Sequence, residues 1–253
     1  MASGVVSSIT RMGTIEPFDL QVGRGQITFH RAILLNSYTT ASAVTLSTLW
    51  PKGGVYAFPA AASVMVLYST NAGDTTQFVQ IEGLDANYKE VTEILTLNGQ
   101  TGRTSTTAFL RINNLIALTG NPAGDIALGT GTPTAGVPTN TYAFIKAGDG
   151  RSSMGIYTVP AGWTLHIADA VVSSGTAGTN KYVTVDFRLQ PFGGVNYLTS
   201  KVTLNGYQSF SYPYPPALTE KSDIFTNVTS STGTDQVCLV TNGILIKNDS
   251  QTP

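Results

Sequence analysis

The sequence predicts an all-β protein, with two β-sandwich or jelly-roll-like domains that follow an irregular amino-terminal segment. Of its 253 residues, 36 are Thr and 20 are Ser, and 26 Gly and 12 Pro accompany them. β-Branched side chains fit a pleated sheet, while Gly and Pro favour the tight turns that join short strands. From residue 64 onward, apolar or alternating runs recur between turn residues, and no stretch of useful length has helical periodicity.

Residues 1–60 are predicted to be the irregular amino-terminal segment. Clusters of Gly and Pro interrupt any periodic pattern, at Gly23-Arg24-Gly25, Trp50-Pro51, Gly53-Gly54 and Phe58-Pro59. Apolar residues nevertheless persist, namely Phe18, Ile27, Phe29, Ile33, Leu34 and Leu35. Such a segment is too irregular to build its own core and too apolar to be solvated. We therefore expect it to pack on the chain's own sheets or on a neighbouring subunit.

Residues 61–148 are predicted to form the first β domain. Its expected strands are bounded by Gly, Asn, Asp or Thr clusters, and they are Val64–Tyr68, Phe78–Ile81, Val91–Leu97, Phe109–Ile112 and Ile126–Leu128. The dipeptide Asn98-Gly99 directly follows the third run, and Asn-Gly favours a two-residue hairpin turn. A hairpin is therefore expected there.

Residues 149–253 are predicted to form the second β-sandwich domain, beginning after the turn-rich Lys146–Gly150. Its expected strands are Ile156–Val159, Trp163–Ile167, Ala170–Val172, Tyr182–Leu189, Val195–Leu198, Val202–Leu204, Ser209–Tyr212, Ile224–Val228, Val237–Thr241 and Ile244–Ile246. In Tyr182–Leu189, apolar and polar residues alternate, which predicts one buried face and one face in water that carries Thr184, Asp186 and Arg188. Many short strands at this spacing indicate two packed antiparallel sheets.

Charge is sparse, and this excludes several classes of partner. The chain has 14 Lys and Arg and 15 Asp and Glu, about half the usual charged fraction, and a net charge of −1. So few cations cannot neutralise many phosphates, so we expect no binding to nucleic acid. The sequence offers no basic arm for an anionic membrane, no long apolar span and no secretory signal pattern, so synthesis in the host cytoplasm and no membrane partner are expected.

Candidate catalytic or metal-binding residues are few. Four carboxylates lie close in sequence, and a glycoside hydrolase would need two of them near one bond: Glu82, Asp85, Glu90 and Glu93. We interpret them as ordinary strand and turn residues. His30 and His166 would have to converge from different segments to bind a metal. The carboxylates that could bind calcium, such as Asp149 or Asp235, are scattered and do not form a loop motif. The sequence therefore predicts no enzyme, no catalytic residue, no metal site and no cofactor.

Two further motifs have structural interpretations. Gly129 and Gly131 lack the third glycine of a dinucleotide fingerprint and the Gly-Lys-Ser/Thr ending of a phosphate-binding loop, so we predict a loop around a short strand. The single cysteine, Cys238, lies in the apolar run Val237–Val240 and is predicted to be a small buried hydrophobe. One thiol cannot form an internal disulfide, so stability must come from packing or assembly.

Aromatic residues give the strongest indication of a binding surface. They cluster before Pro215-Pro216, and the candidates are Tyr197, Tyr207, Phe210, Tyr212 and Tyr214. Tyrosines on a sandwich edge can stack on sugar rings, and they are also enriched in subunit interfaces. Both roles, a glycan site and an interface or core, remain open for these residues.

Several stretches occur in an order that resembles a family of virion structural proteins of tailed bacteriophages, frequent among short-tailed and marine or cyanobacterial phages. They are Glu16–Ile27, Ile81–Tyr88, Leu97–Thr101, Leu110–Asn113, Gly129–Gly131 and Tyr157–Gly162. Each motif alone is ordinary turn and strand sequence, and their order carries the resemblance, which extends from about residue 16 to about residue 246.

This resemblance implies a non-enzymatic structural protein located in the virion. It would assemble with itself as a symmetric oligomer, a ring or a trimeric cluster, and with other proteins of the tail, collar or capsid. The leading expectation is a tail component such as a sheath, collar or fibre-docking protein. The alternatives are a capsid decoration or head protein, and a receptor-binding module that recognises a host surface glycan.

Overall fold

The computed structural model describes residues 10–11, 14–41, 45–131, 138–175, 181–231 and 235–248. Nearly every element within these ranges is a strand. The elements of the first half are β1 (Thr10–Arg11), β2 (Thr14–Ile15), α1 (Phe18–Gly23), β3 (His30–Ala41), β4 (Ser47–Thr48), β5 (Ser63–Ser69), β6 (Phe78–Leu84), β7 (Glu90–Thr96), β8 (Arg103–Phe109), β9 (Arg111–Ala117), β10 (Ile126–Thr130) and β11 (Asn140–Ile145). Those of the second half are β12 (Ile156–Thr158), β13 (Trp163–Ser174), β14 (Val183–Gln190), β15 (Tyr197–Leu204), β16 (Tyr207–Ser211), β17 (Ala217–Leu218), β18 (Asp223–Ser230) and β19 (Asp235–Lys247). The predicted all-β class is confirmed.

Strands β5 to β11 form the first sandwich. One of its sheets has the order β11-β10-β5-β8 and the other has the order β7-β6-β9, with antiparallel pairing throughout. The two sheets enclose one hydrophobic core, whose largest fully buried side chains include Met65, Leu67, Ile81, Phe109, Leu115, Ile126, Leu128 and Ile145. Trp50 and Tyr56 from the amino-terminal segment also pack into this core.

Strands β12 to β19 form the second sandwich together with two strands from the amino-terminal segment. One sheet has the order β12-β18-β14-β15, with β4 added beside β18. The other has the order β16-β13-β19-β3, with β17 added beside β13. Each sheet of the second sandwich has two outer edges, and two of the edge strands, β15 and β16, follow one another in the chain.

The amino-terminal segment is more regular than predicted. Its strand β3 has twelve residues and pairs with β19 from Ala41 opposite Asp235 to His30 opposite Ile246. The Gly and Pro clusters that suggested irregularity lie on either side of this strand. Helix α1 has six residues and packs near its start, where the ring of Phe18 meets the ring of His30 edge-on at 5.7 Å. Among the described residues, no helix is long and apolar enough to cross a membrane.

Several predicted strands join into longer ones. The runs Trp163–Ile167 and Ala170–Val172 are parts of β13, in which the register shifts between Ile167 and Asp169. The runs Val237–Thr241 and Ile244–Ile246 are both parts of β19. Bulges and single polar residues interrupt the apolar pattern without ending a strand, because the backbone pairing continues past them.

Two local predictions in the first domain are wrong. Asn98-Gly99 does not close a hairpin: the chain turns there, with Gly99 at a φ of 58°, and crosses from β7 in one sheet to β8 in the other. The predicted strand Phe109–Ile112 is the junction of β8 and β9, and the chain changes sheets at Leu110. Local sequence favours a turn or an extended chain at these places. Which strands pair there depends on which of the two sheets buries the apolar side chains of each strand.

A buried ion pair connects three parts of the chain. Arg111 on β9 donates two hydrogen bonds to the carboxylate of Asp223 on β18, both at 2.9 Å. Its remaining amino group donates to the carbonyl oxygens of Pro59 at 2.9 Å and Leu110 at 3.0 Å. Thr158 also donates its hydroxyl to Asp223, at 2.5 Å. This cluster joins the first sandwich to the second and to the amino-terminal segment.

Asp74 holds two loops of the first sandwich together, and its role can be measured. Its buried carboxylate accepts hydrogen bonds from the Ser69 hydroxyl at 2.6 Å and from the Ala123 and Gly124 N–H groups, each at 3.0 Å. Burial alone would raise the pKa of Asp74, but these hydrogen bonds outweigh burial and hold the pKa below its ordinary value.

Asp74→Asn is expected to lower the free energy of unfolding at pH 7 by about 1–3 kcal/mol, because two backbone donors lose a charged acceptor. A depressed folded-state pKa stabilises above the unfolded pKa of about 3.9, and this contribution disappears as pH falls through the folded pKa. Urea unfolding at several pH values should therefore show a constant gap between wild type and variant above about pH 5 that shrinks below about pH 4. Asp19→Asn, at an exposed helix position, is the matched control, and an equal effect in both variants would contradict the assignment.

Candidate functional site

The core of the second sandwich is divided into two clusters with a cavity between them. One cluster contains Ala170 and Leu239, and the other contains Leu165, Leu189 and Leu218. The cavity has a volume of about 340 Å³ and draws its lining from both clusters. Its apolar lining residues are Leu35, Ile167, Ala170, Phe187, Leu189, Leu218, Ile224, Phe225 and Leu239.

Two tyrosines stand at the cavity. Tyr197 begins β15, and Tyr212 directly follows β16. The Tyr212 N–H donates to the carbonyl oxygen of Ala168 at 2.9 Å, after which the chain leaves β13 until β17 pairs with it again. Pro216 in this connection also lines the cavity, together with Thr199 on β15. The lining therefore combines apolar walls with a small number of hydroxyl groups.

The five aromatic residues predicted as a site do not form one cluster. Tyr197 and Tyr212 share the cavity, whereas Phe210 packs edge-on against Phe187 at 6.0 Å in the core. Tyr207 and Tyr214 are 69% and 93% exposed. The strand β16 separates them, because Tyr207 begins it and Tyr214 lies beyond its end.

A second feature is an exposed apolar surface along β15 and β16, which we call the edge surface. It consists of exposed residues on these strands and in their flanking loops: Val195, Tyr197, Leu198, Tyr207 and Tyr214. Among the described residues, β15 pairs with β14 and β16 pairs with β13, and neither strand has a strand partner along its outer edge. Unpaired strand edges with apolar side chains are favourable places for another chain to add.

A third feature is a polar cavity of about 500 Å³ between β3 and the sheet that contains β6, β7 and β9. Arg31 on β3 forms two hydrogen bonds with Glu90 on β7, at 2.6 and 3.3 Å, and its guanidinium carbon lies 4.8 Å from the centre of the Trp163 ring. Glu82 in the same cavity accepts hydrogen bonds from Gln80 at 2.6 Å and Asn114 at 3.0 Å. Arg31, Glu82 and Glu90 in this lining therefore have partners within the protein.

The two other candidate carboxylates also have structural partners. Asp85 accepts hydrogen bonds from the N–H groups of Asn87 at 2.7 Å and Lys89 at 2.9 Å, in the turn between β6 and β7. Glu93 accepts from the N–H groups of Thr106 and Thr107, each at 2.8 Å, and so links β7 to β8 across the two sheets. Burial alone would raise the pKa of Glu93, but these hydrogen bonds hold it below its ordinary value. All four carboxylates therefore serve the fold.

The candidate metal ligands lie apart. His30 is on β3 and His166 is on β13, with β19 between them, so their backbones are about 10 Å apart. Asp149 accepts a hydrogen bond from the Tyr38 hydroxyl, and Asp235 accepts one from the Ser230 hydroxyl. Over the part of the chain that the structure describes, no group of three or more His, Cys, Asp or Glu residues is arranged to hold a metal ion.

Two predictions about side-chain direction are wrong. Cys238 is exposed, because Val237 and Leu239 on either side of it face the core and strand residues alternate in direction. Asp186 was expected on a wet face but is buried, with its register partners Lys201 on β15 and Asn227 on β18 on either side of it. Lys201 and Arg188 lie 3.4 and 3.7 Å from its carboxylate oxygens.

Sequence reasoning missed the residues that join the segments, namely Arg31, Arg111 and Asp223. A signal was present, because the chain has only 29 charged residues and Arg111 and Asp223 lie directly against apolar strand residues. A charged residue inside an apolar run is rarely buried unless it is paired. Their pairing with one another could not be read from the sequence, since 112 positions separate Arg111 from Asp223.

No protein-family model matches this chain, and no curated protein sequence does either. Among solved structures, the chain is similar to one in the T13 particle of infectious bursal disease virus, with 12% identity, 86% of this chain and 70% of that chain covered, and a TM-score of 0.24. It is also similar to one from the Gx strain of the same virus, with 11% identity, 88% and 73% covered, and a TM-score of 0.26. It is similar as well to a chain of that virus's VP2 subviral particle, with 9% identity, 87% of this chain and 72% of that chain covered, and a TM-score of 0.24. At TM-scores this low, these similarities support no inference about function.

Proposed function

We propose that this chain is a non-enzymatic structural protein of a virus particle and that it assembles with copies of itself through the edge surface. The observation that carries the proposal is that β15 and β16, which are consecutive in the chain, are both edge strands flanked by large exposed apolar side chains. The resemblance to virion structural proteins of tailed bacteriophages supports the same function. The candidate carboxylates add to it, because each is engaged in holding the fold.

The edge surface differs from an ordinary protein surface. Val195 is 79% exposed, and Leu198, Tyr207 and Tyr214 are also exposed on the same pair of strands and loops. Soluble proteins usually protect edge strands with charges, prolines or covering segments. Lys201 is the charged residue on β15, and it lies 3.4 Å from Asp186 of the neighbouring strand. In a symmetric oligomer each such contact is repeated, so modest contacts suffice for stable assembly.

Val195→Asp is expected to weaken self-association of the full chain at least tenfold, because burying an unpaired carboxylate in an apolar interface is costly. Sedimentation velocity over a range of protein concentrations measures this directly. Wild type should form a discrete oligomer, a ring or a trimeric cluster, and the variant should remain smaller at the same concentration.

The matched control is Val55→Asp, which makes the same substitution at a loop residue that is 64% exposed and lies outside the edge surface. It should leave the oligomer unchanged. A wild-type chain that stays monomeric at high concentration would refute assembly, and equal effects of the two substitutions would refute the edge surface as its location.

Within the virion, we place the protein on the tail, as a sheath, collar or fibre-docking component, with capsid decoration as the alternative. The edge surface suits either location, because rings and shells both repeat one contact. A reconstruction of the intact particle, with this chain fitted into its density, distinguishes the two. Density at the tail or its junction with the head supports the first, and density on the capsid surface supports the second.

A second candidate function is recognition of a host surface glycan. Tyr197 and Tyr212 line one cavity, and Tyr214, two residues after Tyr212, is almost fully exposed, so ring faces and hydroxyls are available together. A glycan array probed with the full chain tests this function. Binding to host polysaccharide that is lost in Tyr214→Ala supports glycan recognition. An array without any binding refutes glycan recognition and leaves the structural function as the only candidate.

A further inference from the structure

The hydrophobic core of the second sandwich is not contiguous. A domain of this kind usually has one contiguous hydrophobic core. Here the buried residues fall into two clusters, and the cavity of about 340 Å³ takes its walls from both. Ala170 and Leu239 belong to the first cluster, whereas Leu189 and Leu218 belong to the second.

The cavity opens to solvent, because its lining residues Tyr197, Pro216 and Ala217 are exposed, so a small molecule can enter it. Water in an open space with mostly apolar walls makes few hydrogen bonds to the protein, and a ligand gains affinity by displacing such water. Pockets for small molecules have volumes of about 300–1,000 Å³ and mostly apolar walls with a few polar groups.

We propose that this cavity is a binding site for an aliphatic molecule with an uncharged polar end, such as a long-chain alcohol. The apolar part would lie between the sheets against Ile167, Leu189 and Leu239. The polar end would lie beside Tyr197 and Tyr212, whose hydroxyl groups can donate or accept a hydrogen bond. This inference does not depend on the proposed role in a virus particle.

The charges around the cavity favour an uncharged ligand. Apart from Arg188, the polar residues of its lining all carry hydroxyl groups, and they are Tyr197, Thr199, Ser200, Tyr212, Thr226 and Thr241. Arg188 forms an ion pair with Asp186 at 3.7 Å, which offsets its charge, while its buried Nε has no hydrogen-bond partner among the described residues and is available to a hydroxyl oxygen. No carboxylate side chain lines the cavity among the described residues, so a cationic end would find no partner. An aliphatic alcohol matches the hydroxyl groups without a desolvated charge.

Calorimetric titration of the full chain with 1-dodecanol is the direct test. We expect one saturable site per chain and a melting temperature that rises with dodecanol concentration, because a ligand that binds the folded state stabilises it. Titration without a saturable site would overturn the proposal and would mean that the space holds only solvent. Dodecanoate is the second probe, and binding more than tenfold tighter than that of dodecanol would overturn the uncharged class.

Variants locate the site. Ala170→Leu fills the cavity from β13, and Ser200→Leu fills it from β15 on the opposite sheet, so either should abolish the dodecanol-induced rise in melting temperature. Ala32→Leu is the control on β3, since Ala32 is exposed and does not line this cavity, and it should retain the full rise. A rise that persists in both filled variants would place the binding elsewhere and refute the assignment. Should either filled variant fail to fold, the other and the wild-type titration decide.

Discussion

Arg111→Met is expected to lower the free energy of unfolding by about 3–5 kcal/mol, because it leaves the buried carboxylate of Asp223 without its partner. The loss has three sources. Two hydrogen bonds at 2.9 Å disappear, the carbonyl oxygens of Pro59 and Leu110 lose their donor, and the aromatic ring of Phe58 loses the guanidinium that lies 4.9 Å from its centre. Urea denaturation of the full chain measures the change.

The companion variants define the interaction. Asp223→Leu should be about as damaging as Arg111→Met, since it leaves a buried cation unpaired. The double variant should lose less than the sum of the two, because neither charge then remains. Lys146→Ala is the control: it removes an exposed ion pair with Asp125 at 3.0 Å and should cost at most about 1 kcal/mol. A loss below about 1 kcal/mol for Arg111→Met would show that the cluster does not hold the segments together.

Gly129→Ala is expected to lower the free energy of unfolding by at least about 3 kcal/mol, more than most overpacking substitutions do. The reason is that the added methyl group would clash with backbone atoms, which cannot move aside as a side chain can. An added Cβ at Gly129 would lie 1.8 Å from the carbonyl oxygen of Asn140. The register between β10 and β11 shifts at this position, so the two strands approach closely around the bulge. Opening the bulge to admit a methyl group would break pairing at the edge of the first sandwich.

Gly23→Ala is the control for this substitution. Gly23 ends helix α1, is exposed and has no atom within 4 Å of an added Cβ, so Ala should be neutral or slightly stabilising there. Thermal unfolding of the two variants measures the contrast. Similar melting temperatures for both would show that the β10–β11 bulge can relax, contrary to the expectation. The Gly-rich stretch that contains Gly129 is thus explained in part by strand packing.

Composition and periodicity were sufficient to predict much of this fold. The Thr-rich alternating runs correctly predicted an all-β chain, and most predicted strands after residue 64 coincide with observed ones. Strand propensity depends on the side chains within a few residues, so it can be read locally. The structure places Glu82, Glu90 and Glu93 on strands and Asp85 in a turn, as the residues next to them in sequence predict.

The failures share one cause. Each wrong prediction rests on the neighbours of a residue in sequence, whereas its pairing or burial depends on which distant strand lies beside it. The residues concerned are Asn98-Gly99, Phe109–Ile112, Asp186 and Cys238. The division of the chain at residues 60 and 148 stays a prediction, and the pairing of β3 with β19 connects the first segment to the last.

The amino-acid sequence alone established that this chain forms sheets, because its Thr-rich alternating runs favour strands, and that it carries few charges and many hydroxyl side chains. Only the tertiary structure decided that Arg111 meets Asp223, that Tyr197 and Tyr212 share a cavity while Tyr207 does not, and that β15 and β16 remain unpaired edges. Backbone propensity acts over a few residues, whereas burial, ion pairing and cavities arise from contacts between strands that are far apart in the chain. These long-range contacts create the surfaces and the space on which the proposed functions depend.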